Sequence, residues 1–145
     1  MSRPEIVASA RAWLGTPYLH QASLRGVGCD CLGLVRGLWR ECLGAEPEAA
    51  PPYPADWAGA AAGEPLLEAA RRRFLEKPLE DIAPGDVLAF RWKARLPASH
   101  LGVAVRRDAM IHAQDGACVA EVPLSDWWRR RLVAVFSFPQ RSDPP

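Results

Sequence analysis

The chain has 145 residues, of which 49% are hydrophobic and 24% charged, and its formal net charge is +1. This length suits one domain with a sizeable core, so we expect residues 1–145 to form a single domain. A net charge this close to zero gives no reason to expect nucleic-acid binding. No apolar stretch is long enough for membrane insertion, and the N-terminus lacks the apolar core of a signal peptide, so synthesis in the cytoplasm is expected.

The four cysteines favour thiol chemistry over a structural role. Their density and spacing do not suit a disulfide framework, and Cys29 and Cys31 are too close in sequence for an unstrained bridge. The chain has no paired Cys-x-x-Cys or His-x-x-x-His spacings that would supply four zinc ligands. We therefore expect no metal and no organic cofactor.

The first predicted element is a helix near the N-terminus. Ser2 and Glu5 have the spacing of a capping box, and the Gly-Thr-Pro sequence at 15–17 ends the helix. Its predicted apolar face consists of Ile6, Val7, Ala10, Trp13 and Leu14.

A second helix is predicted from about Cys31 to Leu43, before Gly44. Residues 46–63 are rich in Pro, Ala and Gly and predict a long irregular connection, of the kind that forms a wall or cover of a binding cleft. Trp57 lies in this connection and is the candidate wall residue. A third helix is predicted over 65–75.

Strands follow the turn signal at 84–86. Their predicted ranges are 87–92, 101–106, 110–113, 118–122 and 132–138, with a short helix over 126–131. Trp127 and Trp128 either form an exposed partner patch or cover one end of the sheet. Helices followed by an antiparallel sheet predict an α+β fold, with the N-terminal helices packed on the C-terminal sheet.

Cys31 is the candidate nucleophile. Asp30 is a good N-cap for the second helix, which places the thiol at the positive end of the helix dipole and favours the thiolate. The alternative is that Cys31 is a small apolar residue in the helix core.

His100 is the candidate base, because it begins a strand in which Gly102 and Ala104 leave space on the same face. His112, in the next strand, would orient His100 by a hydrogen bond. A two-residue turn would put the two histidines on opposite faces, whereas a three-residue loop would put them on one face but offset, so a bulge or twist is needed. Gln114 and Asp115 are rival orienting residues.

Five segments together resemble the NlpC family of papain-like cell-wall peptidases, in the right order along nearly the whole chain. They are ARAWLGTPY at 10–18, DCLGLV at 30–35, PGDVLAF at 84–90, HLGVAV at 100–105 and IHA at 111–113. The resemblance implies a papain-like α+β domain in which Cys31 is the nucleophile, His100 the general base and acid, and His112 the orienting third residue.

The resemblance also implies residues that bind substrate or the oxyanion. Tyr18 matches the tyrosine that the family places beside the nucleophile. Position in the sequence adds Asp30 beside the nucleophile, His20 close after Tyr18 with no role assigned, and Trp57 in the long connection to this candidate group. Leu32 departs from the serine that is usual at its position, and His20 and Gln21 replace the usual aromatic and glycine residues, which weakens any inference about bond preference.

The implied activity is a cysteine endopeptidase that hydrolyses peptidoglycan stem peptides at the bond between D-glutamate and diaminopimelate. Segments 15–21 and 34–41 are most similar to the subgroup encoded with phage tails and gene-transfer particles, so expected partners are tail or particle proteins. The expected location is then the virion or tail, acting in the periplasm or cell wall. Two alternatives are a non-catalytic tail or hub component with the same fold, and an amide or acyl transferase that uses the same cysteine.

Overall fold

The structure is a computed structural model that describes residues 2–47 and 63–140. Most of the predicted irregular connection, including Trp57, lies outside the described residues. Four helices are described: α1 (Pro4–Ala12), α2 (Cys31–Cys42), α3 (Pro65–Arg73) and α4 (Asp126–Arg129).

Two antiparallel sheets accompany these helices. A small hairpin consists of β1 (Ser23–Leu24) and β2 (Gly28–Cys29). The main sheet has six strands in the order β3-β8-β4-β5-β6-β7. Its members are β3 (Leu75–Lys77), β4 (Val87–Phe90), β5 (His100–Arg106), β6 (Ala109–His112), β7 (Ala120–Pro123) and β8 (Leu132–Ser137). All of its pairings are antiparallel, which confirms the predicted α+β fold.

The start and end of α1 differ from the prediction. Its N-cap is Arg3, which makes no side-chain cap, and Glu5 pairs with the Arg3 guanidinium instead of closing a capping box with Ser2. Pro4 begins the helix, because its fixed φ suits the first turn. The helix ends at Ala12, so Leu14 leaves the apolar face and is 42% exposed.

The third helix is shorter than predicted. It ends at Arg73, and Leu75–Lys77 pairs with β8 as an edge strand that the sequence analysis missed. The β1–β2 hairpin was also missed, because strands of two residues are too short to show alternation. The other predicted strands and the short helix are present, with ends that differ by up to two residues.

The two faces of the main sheet have different surroundings. Alternate residues such as Ala89, Leu101 and Val103 face α1 and α2 and form the larger core. The opposite face is a smaller cluster that includes Phe90 and Met110. We call these the helix face and the histidine face, because the register places His100 and His112 on the second one.

An irregularity between β5 and β6 decides where His112 lies. Arg106 pairs with Ala109 across a two-residue turn, but the register shifts between Ala104 and Arg106. The extra residue reverses the alternation, so that residues which a regular two-residue hairpin would separate share one face. A bulge therefore brings His112 to the side of the sheet that carries His100.

Candidate active site

Asp30 fixes the start of α2. Its Oδ1 accepts a hydrogen bond from the Gly33 amide at 2.7 Å, and its Oδ2 accepts one from the Gln21 amide, also at 2.7 Å. This N-cap ties the preceding loop to the helix, as predicted from the sequence. Gly33 has no alternative here, because a Cβ would collide with the carbonyl oxygen of Ala22.

Cys31 is the first residue of α2 and is 9% exposed. Burial raises the pKa of its thiol to about 12, while hydrogen bonds with the backbone of Leu101, Leu32 and Cys31 itself act in the opposite direction. The sulfur therefore lies beside the helix start and beside Leu101, the residue that follows His100. The expectation that the helix dipole favours the thiolate is wrong for this buried arrangement, because desolvation outweighs the amides.

His100 and His112 form a buried pair. The His100 Nε2 atom lies 2.8 Å from the His112 Nδ1 atom, and the side chains are 5% and 3% exposed. Burial lowers the pKa of His100 to about 3 and that of His112 to about 4. The rival residues Gln114 and Asp115 lie exposed in the turn after β6.

The bond between the two rings limits how His100 can act. Both atoms of the pair are ring nitrogens, so one of them carries the shared proton. If His100 donates from Nε2, its Nδ1 is left without a proton and is available as a base. The same tautomer makes His112 the acceptor at Nδ1.

Aromatic rings surround the histidine pair. The Trp92 and Trp128 ring centroids lie 5.1 and 5.7 Å from that of His100, and Trp128 also contacts His112 at 5.1 Å. Phe90, opposite His100 in the β4–β5 register, lies 6.1 Å away. These rings explain the burial of both imidazoles, and sequence reasoning did not connect them with the site. The tryptophan pair at 127 and 128 was the available signal.

Tyr18 and His20 lie in the loop in front of α2. Tyr18 is half-buried and forms an isolated bridge with Cys29. Burial, followed by the negative charge of Asp30, raises the pKa of its hydroxyl to about 12. The His20 Nδ1 atom lies 3.7 Å from Asp30 Oδ2, and its side chain is 38% exposed.

The predicted site residues thus fall into two groups in space. Tyr18, His20, Asp30 and Cys31 gather at the start of α2, and His100 and His112 pair on the sheet. The two groups meet where α2 packs against β5, because Cys31 begins that helix and His100 begins that strand. Trp57 lies outside the described residues.

Within residues 2–47 and 63–140, no three His, Cys, Asp or Glu side chains are grouped so that they could hold a metal ion. No helix in the same part of the chain has the length and apolar character to cross a membrane.

A cysteine at the start of a helix, packed on an antiparallel sheet that carries a histidine pair, gives this protein the α+β architecture of the papain-like class. Comparison with known proteins is more specific, because the NlpC/P60 family matches residues 15–137. The chain belongs to this family.

A curated relative is the gamma-DL-glutamyl hydrolase of Bacillus subtilis, which is 27% identical over 141 residues. The match covers 96% of this chain but only 30% of that protein, so the chain spans about a third of the relative's length.

Solved structures share the fold at lower identity. The NlpC/p60 domain of the peptidoglycan hydrolase SagA superposes with a TM-score of 0.65 at 21% identity, covering 93% of this chain and 97% of that domain. An NlpC/P60 family protein from Bacillus cereus gives a TM-score of 0.67 at 16% identity, covering 93% of this chain and 39% of that one.

Proposed function

We propose that this protein is a cysteine endopeptidase that hydrolyses peptidoglycan stem peptides, with Cys31 as nucleophile and His100 as general base and acid. The observation that carries the proposal is the 2.8 Å contact between His100 Nε2 and His112 Nδ1, with His100 at the start of β5, the strand that packs against the helix begun by Cys31. Membership of the NlpC/P60 family supports it.

In the proposed acylation step, the Cys31 thiol transfers its proton to His100 Nδ1 as the sulfur attacks a peptide carbonyl carbon. The tetrahedral intermediate then collapses to a thioester, and the His100 imidazolium gives its proton to the departing amine. In the second step, His100 takes a proton from water as the water oxygen attacks the thioester carbon. The intermediate collapses with cleavage of the carbon–sulfur bond, the carboxylic acid product leaves, and the Cys31 sulfur regains its proton from the His100 imidazolium. His112 accepts the hydrogen bond from His100 Nε2 throughout and keeps the ring oriented.

The proposed oxyanion donors are the backbone amide of Cys31 and the hydroxyl of Tyr18. The raised pKa of Tyr18 favours this role, because the hydroxyl keeps its proton and remains a donor at neutral pH. Asp30 and His20 lie 3.7 Å apart at the start of α2 and are the proposed contacts for polar groups of the substrate. Trp57 is proposed as a wall residue of the cleft on sequence grounds alone.

We propose the bond between D-glutamate and diaminopimelate as the one that is cut. The proposal is supported by the Bacillus subtilis relative, a gamma-DL-glutamyl hydrolase, and by SagA, a peptidoglycan hydrolase. The proposed setting is a phage tail or gene-transfer particle, which rests on the similarity of segments 15–21 and 34–41 to that subgroup. Detection of this chain in purified particles by mass spectrometry tests the setting.

The activity is tested with purified peptidoglycan and fragment analysis by mass spectrometry. Wild-type protein is expected to release stem-peptide fragments that end in D-glutamate, and Cys31→Ala is expected to lose at least about 10³-fold in rate. Cys118→Ala is the matched control, because Cys118 is an exposed thiol, and it should retain the wild-type rate.

Each alternative function gives a different result in this assay. A non-catalytic tail component releases no fragments from either wild-type or variant protein. A transferase releases fragments joined to an added amine in place of water, and this product has a different mass.

A further inference from the structure

One indole ring contacts both histidines. The Trp128 ring lies 5.7 Å from His100 with an angle of 25° between the planes, so the two rings are stacked. It lies 5.1 Å from His112 at 83°, an edge contact. The two imidazole planes are themselves 85° apart. The Trp128 ring is therefore close to parallel with His100 and close to perpendicular to His112, as the 85° between the two imidazole planes requires.

The bond between the imidazoles depends on both ring orientations. The terminal torsion of histidine is broad and roughly two-fold, so the hydrogen bond alone leaves each ring free to turn. A half-turn of His100 replaces Nε2 by a carbon at the contact with His112. Packing against flat rings removes the angles between these two positions, because an imidazole turned out of its plane would collide with the indole. The hydrogen bond to His112 then selects the half-turn that places His100 Nε2 at the contact.

Trp128 is itself firmly held. It makes edge contacts with Phe90 at 5.0 Å and Trp127 at 4.8 Å. The turn that carries it is tied down by Arg129, whose Nε donates to the Leu124 carbonyl at 3.0 Å and whose Nη2 donates to the Arg107 carbonyl at 3.2 Å.

The neighbouring tryptophans do not have the same position. The Trp92 ring lies 5.1 Å from that of His100 and is tilted by 30°, and in the described part of the chain its other ring contacts are with Trp127 and Trp128. Trp127 is 43% exposed, and its ring contacts in the described part of the chain are with Trp92 and Trp128, not with a histidine.

We propose that Trp128 is a positioning residue that holds the His100 and His112 rings at the angle that their hydrogen bond needs for general-base catalysis. This inference rests on the proposed peptidase function. Trp128 does not touch the reacting atoms; it acts through the two imidazoles. Burial is the main cause of the lowered pKa of both rings, so the groups that bury them, Trp128 among them, set their protonation state.

The test measures the histidines directly. Long-range ¹H–¹⁵N spectra of the imidazole rings are recorded against pH for wild type, Trp128→Leu, Trp128→Phe and Trp127→Leu, alongside kcat and KM for a stem peptide. The Trp127→Leu variant is the matched control, since it removes an adjacent indole that touches neither histidine.

In Trp128→Leu, both titration midpoints should rise by at least about one pH unit toward the ordinary histidine value, because the rings gain water and mobility. Its kcat should fall at least about tenfold with KM within about twofold. Trp128→Phe keeps an aromatic face of smaller area and should give intermediate midpoints, so it carries the test if the leucine variant does not fold. Trp127→Leu removes one contact of Trp128 and none of a histidine, so its midpoints and kcat should change by much less than those of Trp128→Leu.

Unchanged midpoints in both Trp128 variants would overturn the proposal, and so would equal shifts in Trp127→Leu. The titrations need no substrate. If wild-type protein cleaves no peptide, the proposed function fails while the spectra still decide whether Trp128 orders the histidine pair.

Discussion

The two faces of the main sheet differ in what they contribute to the protein. The helix face packs Ile6, Leu34 and Leu38 against strand residues in one continuous core. The histidine face carries two buried ionisable rings among aromatic side chains. Burying an ionisable ring costs stability when it could be charged, whereas burying an aliphatic side chain adds stability. The helix face therefore holds the fold together, and the histidine face gives up some of that stability for the site.

The strongest test of this division is the substitution His100→Ala. Loss of a general base is expected to lower kcat/KM by about 10³-fold. The measurement is stem-peptide hydrolysis by protein whose folding has been checked by near-ultraviolet circular dichroism. His112→Asn keeps an acceptor for His100 Nε2 and should lose only about tenfold.

Equal losses in the two variants would contradict the separation of base and orienting residue. Activity near the wild-type value in His100→Ala would remove the histidine face from the reaction altogether.

Burial of the two neutral imidazoles should make the free energy of unfolding depend on pH. The pKa of His100 is lowered from 6.5 to about 3 in the folded chain, so the unfolded chain takes up a proton first as the pH falls through 6.5. Stability is therefore complete above that value and declines toward pH 3. The expected loss from His100 is about 2 kcal/mol at pH 5 relative to pH 7 or above.

Urea unfolding of wild type and His100→Gln at pH 7 and pH 5 measures this loss. The glutamine variant has no ionisable ring at this position, so its stability should decrease less between the two pH values. A wild-type free energy of unfolding that is the same at pH 5 and pH 7 would show that the rings are not held neutral by burial.

Local patterns were sufficient to predict much of this architecture. Capping chemistry predicted Asp30 as an N-cap. Alternation predicted the order of helices and strands, and it placed His100 and His112 in consecutive strands, which pair in the structure. The register of His112 could not be decided, because a single bulged residue reverses the face and no residue type marks its position.

Contacts between residues distant in sequence could not be predicted, because local patterns carry no information about them. Trp128 was assigned either to a partner patch or to one end of the sheet, and only the folded chain shows that it touches both histidines. The thiol was expected to ionise because its local setting at a helix start favours the anion. Burial by residues distant in sequence has the larger effect on its pKa.

The smallest expected effects are those of two glycine substitutions on the free energy of unfolding, one in α2 and one on the histidine face. A Cβ at Gly37 would press into the buried indole of Trp13, which cannot move without disturbing the core. Gly37→Ala should therefore lower the free energy of unfolding by about 1–2 kcal/mol, since overpacking exceeds the gain in helix propensity.

A Cβ at Gly102 meets the sulfur of Met110, an adaptable side chain, so Gly102→Ala should lower the free energy of unfolding by less than about 1 kcal/mol. Gly102 lies two residues from His100 in β5, and the pairing of Val103 with Ile111 continues to His112 across from it. Gly102→Ala should therefore lower the rate of stem-peptide hydrolysis more than Gly37→Ala does. Thermal unfolding and stem-peptide hydrolysis of both variants separate the faces, and a Gly102→Ala protein that is less stable than Gly37→Ala would place the more rigid packing on the histidine face.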